Sequence, residues 1–329
     1  MMGPAPGIMP FAYVHTPNRY LFSVHVYAFV TYTETRDRNG KRYFYRTHSR
    51  RVDGKVKKQR IYLGRDLSPF LLKQLESRAD LKLSDPEGLL KENELAEIDG
   101  ILREFRKLPV ETYRSRYEYF MIRFTHDSTA MEGNSFTLED TRSLVLDGIT
   151  PSSKKLKEVH EILDHRKAFD MILDQGVKMD MKWIFELHSR LVKNSRWPGD
   201  EERAGGYRDV NVGLMGSDVK FPAPGEVPEL MKELLSGYRR SGRSLHPLVQ
   251  AAKFHVDFEI IHPFSDGNGR LGRLLMNRIL HSRGFPMINI PKRSKVEYFI
   301  SLRRAHEEGG IRPFMELLLH LLQTRNSVL

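Results

Sequence analysis

The sequence has no cysteine among its 329 residues, which excludes a disulfide framework, a thiol nucleophile and a thiolate metal site. It also has no apolar run close to the roughly eighteen residues that a membrane helix needs. The segment Met1 to Pro10 lacks the basic region and apolar core of a secretion signal. We therefore expect a cytoplasmic protein.

Positive charge is concentrated in one short segment. Between Arg36 and Asp66 there are twelve Lys or Arg and three Asp, a surplus of nine within a net charge of +11. The rest of the chain is close to neutral, so any inference about an acidic partner applies to residues 36–66 alone.

The same segment has the pattern of a small β meander. Alternating aromatic and β-branched residues predict strands at 29–33, 42–46 and 55–63. Asn39-Gly40 and Asp53-Gly54 lie between these runs, where their tolerance of positive φ suits tight hairpin turns. We expect residues 1–69 to form a small basic β domain.

Cationic side chains in this meander are interleaved with Tyr43, Phe44, Tyr45 and Tyr62. Such a surface could bind nucleic acid through phosphates and base stacking, which would make the chain a nucleic-acid-binding regulator. The alternatives are an exposed basic sheet face and a surface that recruits an acidic protein. No recognition helix or RNA-binding signature decides between them.

From about residue 70 the apolar residues recur with helical spacing. One helix is predicted around Leu71, Leu72 and Leu75. Further helices are predicted at 89–105, 117–125, 138–146, 154–174, 182–193, 227–239, 247–261, 269–283, 295–308 and 313–324. The stretch Tyr207–Lys220 is an exception, because its alternating residues and glycines favour a β hairpin.

The segment from Ile261 to Arg273 has the features of an anion site. An apolar helix should end at His262-Pro263, because proline disfavours helical geometry in the residue before it. Asp266-Gly-Asn-Gly269 then allows backbone amides to converge, and the next helix should begin at about Gly269. Its free N–H groups and positive dipole end would point to the same place, which suits phosphate.

Charged and titratable residues accompany this turn. Arg270 and Arg273 lie at i and i+3 on the second helix, so both guanidinium groups can reach one face. Asp266 offers a hard oxygen for Mg²⁺, and His262 offers a base that can be neutral at pH 7. Each feature alone is typical of a helix end, a turn or a solvated face. Together they favour phosphoryl or nucleotidyl transfer.

The run His262-Pro-Phe-x-Asp-Gly-Asn-Gly-Arg-x-x-Arg273 resembles the signature of the Fic domain at every defining position. The resemblance extends from about residue 110 to Phe314. It implies a mainly α fold, a Fic-type helical bundle with a β-hairpin flap, beside the N-terminal β meander. On this basis residues 70–125 are a helical linker region, and 126–329 are the catalytic domain.

The resemblance implies a protein adenylyltransferase that uses ATP and Mg²⁺. His262 would deprotonate a Ser, Thr or Tyr hydroxyl of a target protein, Asp266 would bind the metal, and AMP would be transferred. The predicted phosphate-binding residues are Gly267, Asn268, Gly269, Arg270 and Arg273. Other relatives transfer UMP, phosphocholine or phosphate, and no residue excludes UTP or GTP as the donor.

Further family features map onto this chain. The hairpin at Tyr207–Lys220 resembles the flap that aligns the target backbone by β-augmentation. Tyr298 and Phe299 match an aromatic pair that contacts adenine, although core packing explains them equally well. His306 stands where the family often has a polar amide. Many members form dimers, so we expect a homodimer. Self-modification on an exposed Ser, Thr or Tyr is a separate expectation.

A second motif, Ser128-Thr-Ala-Met-Glu-Gly-Asn134, resembles the inhibitory helix of Fic proteins that carry it N-terminal to the signature, which implies such a helix at 126–134. Glu132 would pair with Arg273 and remove that guanidinium from the γ-phosphate. The same residues also make an ordinary helix end closed by Gly133-Asn134. In some relatives this glutamate positions water that removes AMP, so deAMPylation remains an alternative activity.

Overall fold

The computed structural model is mainly helical, as the sequence predicts, with a small N-terminal antiparallel sheet. The residues that it describes are 31–52, 55–69, 72, 75–76, 79, 89–107, 110–195, 204–213, 221–241, 245–308 and 310–324.

Three antiparallel strands form the sheet, in the order β1 (Thr31–Arg38), β2 (Lys41–Val52) and β3 (Lys55–Arg65). Asn39 and Gly40 have φ of 52° and 71° and turn the chain between β1 and β2, as predicted. The predicted turn at Asp53-Gly54 lies outside the described residues. Thr33 and Arg46 contact the carboxylate of Glu76, so one face of the sheet meets the start of the helical part.

Ten α-helices follow in the described part of the chain. They are α1 (Glu92–Arg106), α2 (Val110–Met131), α3 (Leu138–Asp147), α4 (Leu156–Leu173), α5 (Met181–Val192), α6 (Val227–Ser241), α7 (Pro247–Ile261), α8 (Asn268–Ser282), α9 (Lys295–Glu308) and α10 (Arg312–Gln323). Within the ranges that the structure describes, no helix is both long and apolar enough to cross a membrane.

Helices α7 and α8 lie at the centre of the bundle. Phe254, Phe258 and Ile261 of α7 are buried, and Leu271 and Leu274 of α8 have no exposed surface. Burial on most sides explains why α7 is apolar around most of its circumference. The turn between these two central helices is therefore supported by the largest hydrophobic cluster of the protein.

The predicted hairpin at Tyr207–Lys220 is only partly described. Residues 207–213 are irregular, and 214–220 lie outside the described residues. Helix α2 runs without a break through positions 125 and 126, where the sequence placed a domain boundary. The segment predicted to inhibit is thus the C-terminal end of a long helix, which stops at Met131 before Gly133.

Candidate active site

The turn between α7 and α8 begins at His262, which has left-handed backbone geometry with φ of 49°. Its N–H donates to Phe258 O at 2.9 Å and closes the end of α7. Pro263 follows and cannot continue the ladder. A residue other than glycine with positive φ is uncommon, and such positions cluster at functional sites.

The Asn268 side chain fixes the shape of the turn. Its Oδ1 accepts from Phe264 N at 2.9 Å, and its Nδ2 donates to Phe264 O at 2.7 Å. Gly267 is required because its φ is 79° and because a Cβ there would lie 2.7 Å from Val192 Cγ1. The predicted Asn268 is therefore in the turn, with its amide bonded to the backbone of Phe264.

His188 of α5 packs under the turn, and no sequence pattern had indicated this residue. Its ring stacks on Phe264 with centroids 3.8 Å apart. Its Nε2 lies 3.0 Å from Asp266 O, and its Nδ1 accepts from Gly205 N at 3.0 Å. Because Nδ1 of His188 accepts a hydrogen bond, the ring proton is on Nε2, which donates to the backbone O of Asp266.

Helix α8 starts directly after this turn and offers backbone donors to an anion. Its N-cap is Gly267, which has no side chain to accept from the first N–H groups. Those donors and the positive end of the helix dipole point to the same space. The glycine at position 269, in the first turn, lets another group approach the backbone closely.

Arg270 and Arg273 are almost completely buried, with 3% and 1% of their side chains exposed. Arg273 donates to Glu132 Oε1 at 2.9 Å, to Ser128 Oγ at 3.1 Å and to Ser128 O at 2.8 Å. Arg270 Nη2 lies 3.3 Å from Asp266 Oδ1. Among the described residues, Arg270 Nε, Arg270 Nη1 and Arg273 Nη1 have no hydrogen-bond partner.

Buried guanidinium donors without partners are costly, so these atoms are suited to an anionic ligand. Burial alone lowers the pKa of Arg273, but the nearby Tyr298, Glu132 and Glu259 raise it on balance. Arg273 therefore remains a cation in its buried position.

Glu132 occupies the space over the first turn of α8. Its Oε1 is 2.5 Å from the point that a Cβ on Gly269 would take. Its side chain is 35% exposed, whereas that of its partner Arg273 is 1% exposed. The Glu132–Arg273 contact predicted from the sequence is thus present, at the position where an anion would meet the helix.

His262 lies at the edge of this anion site, in an environment that keeps its ring neutral. Burial lowers the pKa of His262 to about 4. The ring of Phe221 packs against it, with centroids 4.4 Å apart. A neutral imidazole at pH 7 is the form that accepts a proton, so the environment suits the role of a general base.

Arg208 fixes the backbone at His262 and was not identified from the sequence. Its Nε donates to His262 O at 2.8 Å, and its backbone N donates to Pro263 O at 3.0 Å. Its two terminal nitrogens donate to Val210 O and Pro222 O. Arg208 therefore joins both ends of the segment 210–222 to the turn at His262.

Asp266 lies at the mouth of the turn with 51% of its side chain exposed. Its Oδ1 accepts from Gly267 N at 2.6 Å. Within the part of the chain that the structure describes, no group of three or more His, Asp or Glu side chains could hold a metal ion. Asp266 can thus supply one oxygen ligand, which fits Mg²⁺ that is bound mainly by phosphates and water.

The two residues of the predicted aromatic pair have different environments. Tyr298 is 1% exposed, and its ring lies 5.7 Å from the Arg273 guanidinium carbon. Its hydroxyl lies 2.9 Å from His255 Nε2. Phe299 is 40% exposed, and His306 is half-buried on the same helix. Only Phe299 of the pair has surface available to a base.

Glu259 is a further acidic residue at the site that the sequence did not indicate. Its Oε1 is sealed from solvent and has no hydrogen-bond partner among the described residues. A Cβ on Gly272 would lie 2.4 Å from that oxygen, so the missing side chain makes room for the carboxyl. Burial raises the pKa of Glu259 to about 8, so the carboxyl is mainly protonated at pH 7.

Comparison with known proteins places this site in a family. Residues 178–280 match the model of the Fic/DOC family. The chain is 35% identical over 209 residues to protein adenylyltransferase Fic of Drosophila grimshawi, which covers 62% of the chain and 42% of that protein. It is 34% identical over 247 residues to the protein of the same name from Drosophila willistoni, covering 72% and 47%. The chain therefore spans less than half the length of these relatives.

Solved structures agree with this assignment. A Fic domain containing signaling protein from Bacteroides thetaiotaomicron superposes with a TM-score of 0.65 at 27% identity, covering 71% of the chain and 95% of that protein. Fic-1 from C. elegans superposes with a TM-score of 0.64 at 25% identity, covering 79% and 77%. The turn at His262 and all but the last two residues of α8 lie within residues 178–280. Residues 178–280 of this chain therefore belong to the Fic/DOC family.

Proposed function

We propose that this protein transfers AMP from ATP to a hydroxyl side chain of a target protein. The observation that carries the proposal is the convergence of three features on one space. This space is bordered by the unpartnered donors of the buried Arg270 and Arg273, by the uncapped start of α8 and by the neutral His262. The relatives named protein adenylyltransferase Fic support the choice of reaction.

The expected chemistry follows from these groups. The neutral His262 accepts the proton of a Ser, Thr or Tyr hydroxyl as its oxygen attacks the α-phosphorus. A new O–P bond forms, the bond from the α-phosphorus to the bridging oxygen breaks, and pyrophosphate leaves. The N–H groups at the start of α8 stabilise charge on the phosphate oxygens, and the two arginines bind the remaining phosphates.

Mg²⁺, when bound, neutralises phosphate charge, and Asp266 is the residue that would hold it. Its exposed carboxylate at the mouth of the turn is compatible with a metal that takes its other ligands from phosphates and water. Phe299 offers an exposed ring for the adenine. The segment 210–222, joined to His262 by Arg208, is where the target backbone would lie.

We further propose that Glu132 inhibits this reaction, which would place the protein among Fic proteins with an N-terminal inhibitory helix. Its carboxylate and the γ-phosphate would compete for Arg273 and for the space at Gly269. A charge-assisted hydrogen bond contributes roughly 1.5–3 kcal/mol, and the exposure of Glu132 argues for the lower end. That is still about a tenfold effect on productive ATP binding.

The test uses ATP labelled on the α-phosphate, with the purified protein and a cell lysate as acceptors. We expect Glu132→Gly to label itself or lysate proteins much faster than the wild type. The double variant Glu132→Gly/His262→Ala should give no label. Glu139→Gly, at an exposed position on α3, is the matched control and should behave like the wild type. Label that persists in the double variant would remove His262 from its assigned role.

Removal of AMP is a second candidate activity, favoured by the position of Glu132. Its carboxylate is partly exposed beside the anion site, where it could orient a water molecule. AMP-modified target would be incubated with the wild type and with Glu132→Gln. Equal release of AMP by both would rule out a role of Glu132 in this reaction.

A further inference from the structure

The outward face of the N-terminal sheet is not used by the proposed reaction. In this antiparallel sheet, directly paired residues share a face. The register pairs Arg36 with Tyr43, and it places Tyr45 opposite both Glu34 and Tyr62. The opposite face carries Thr33 and Arg46, which contact Glu76, and the buried Phe44. The face with the tyrosines is therefore the one turned away from the helices.

Three tyrosines form a continuous aromatic row on this outward face. The rings of Tyr45 and Tyr62 have centroids 5.3 Å apart, and those of Tyr43 and Tyr62 are 6.4 Å apart. Tyr62 is 53% exposed, and Tyr43 and Tyr45 are half-buried. A partly exposed aromatic row of this kind offers flat surface to a planar ligand.

Cations lie beside and over these rings. The Arg36 guanidinium carbon is 5.3 Å from the centre of the Tyr45 ring, and Lys58 Nζ is 5.8 Å from the centre of the Tyr32 ring. Arg38 and Lys41, which pair with each other on the same face, extend the positive charge to the β1–β2 turn, where both are exposed.

Among the described residues of the strands, the outward face carries one carboxylate, Glu34. It is bound by Arg36 at 2.8 Å and by Arg60 at 2.8 Å, and these hydrogen bonds lower the pKa of Glu34 to about 2. The negative charge of Glu34 is therefore neutralised by Arg36 and Arg60. The excess positive charge at the β1–β2 turn remains. A partner suited to this face carries both flat rings that stack on tyrosine and regularly repeated negative charges. A polynucleotide has both features at every residue, whereas an acidic protein surface has only the charges.

We propose that this sheet face binds single-stranded nucleic acid, with bases stacked on Tyr43, Tyr45 and Tyr62. The phosphates contact the cations of the β1–β2 turn and the flanking strands. Stacking on tyrosine needs unpaired bases, which favours a single strand over a duplex. The proposal does not depend on the reaction at His262.

The test measures fluorescence anisotropy of labelled 20-nucleotide oligo-dT and oligo-U with the full chain across a salt series. We expect binding to both that weakens with salt. Tyr62→Ala should weaken binding about tenfold, while Tyr62→Phe should stay close to the wild type. Tyr119→Ala, which removes an equally exposed tyrosine of α2, is the matched control and should have no effect.

A second variant tests the cations without altering the aromatic row. Arg38→Gln/Lys41→Gln should reduce the slope of log affinity against log salt by about 0.7 per lost phosphate contact. Arg239→Gln/Arg240→Gln, on the exposed end of α6, should leave the slope unchanged. The proposal fails if the wild type does not bind at low salt, if Tyr62→Ala binds normally, or if a duplex or poly-glutamate competes as well as the single strand.

Discussion

Arg273 Nη2 and Glu132 Oε1 lie 2.9 Å apart, although 141 residues separate them in the sequence. The contact depends on where α2 ends, and that end is fixed by other residues of the same chain. Lys295 Nζ donates to Met131 O at 2.6 Å. Asn134 Nδ2 donates to Glu158 O at 3.0 Å. Contacts within the chain therefore hold the residues on both sides of Glu132.

Replacing Lys295 should weaken the proposed inhibition. In Lys295→Met the carbonyl of Met131 loses a charged donor, worth roughly 1.5–3 kcal/mol, so the end of α2 becomes less ordered. We expect the initial rate of labelling from α-labelled ATP to rise about threefold to tenfold, and to stay below that of Glu132→Gly. Lys292→Met, which alters an exposed side chain on the same segment, should change nothing. An unchanged rate in Lys295→Met would show that this bond does not position Glu132.

The shape of the phosphate-binding turn can be tested with two glycines of similar backbone geometry. Gly267 and Gly284 have φ of 79° and 64°. A Cβ on Gly284 would meet nothing within 4 Å, whereas one on Gly267 would lie 2.7 Å from Val192 Cγ1. Gly284→Ala should therefore cost only the left-handed strain, about 1–2 kcal/mol. Gly267→Ala should cost about 1–3 kcal/mol more, because the packing must shift. Denaturant unfolding of both variants measures the difference, and equal midpoints would contradict it.

Local rules predicted the turn between α7 and α8 well. Proline after His262 ends α7 at Ile261, and the glycines allow α8 to start at Asn268, one residue before the expected position. The strands were less well predicted. Strand β2 continues to Val52, beyond the predicted end at Arg46, because neighbours pair with it on both sides. Residues 47–51 of this strand are polar on both faces and show no alternation.

Contacts between distant segments could not be predicted in this way. Arg208 bonds to a carbonyl 54 residues away, and His188 lies beside one 78 residues away. Neither residue stands in a recognisable spacing with its partner. Glu259 lies three residues before His262 on α7, but its burial depends on the missing Cβ of Gly272 on another helix. Such residues are recognised only when the packing is known.

Arg208 should act as a positioning residue for His262. In Arg208→Ala the His262 carbonyl and the segment 210–222 lose their common donor, so the base is no longer held in place. We expect labelling in the Glu132→Gly background to fall about tenfold to a hundredfold. ATP affinity should be unchanged, because Arg208 does not contact the start of α8. Arg208→Lys should restore part of the labelling rate. If Arg208→Ala lost ATP affinity by as large a factor as it lost labelling rate, general unfolding would be indicated instead.

Glu259 should make the stability of the protein depend on pH in a defined direction. Burial raises its pKa from 4.5 to about 8, with Glu132 adding to the shift and Arg273 opposing it. Between these two values the unfolded chain has released the proton while the folded protein retains it. The free energy of unfolding contributed by this group therefore falls as pH rises from about 4.5, and it levels off above about 8.

The clearest window for this effect is pH 7 to 9, where burial has already kept His262 and His255 neutral in the folded protein. Urea unfolding of the wild type and of Glu259→Gln would be compared across this window. Because glutamine cannot ionise, the stability of the wild type relative to this variant should fall by about 1.4 kcal/mol per pH unit up to pH 8 and then stay constant. Glu229→Gln, at an exposed position on α6, should follow the wild type throughout. A difference between wild type and Glu259→Gln that does not change with pH would mean that Glu259 is already ionised in the folded protein at pH 7.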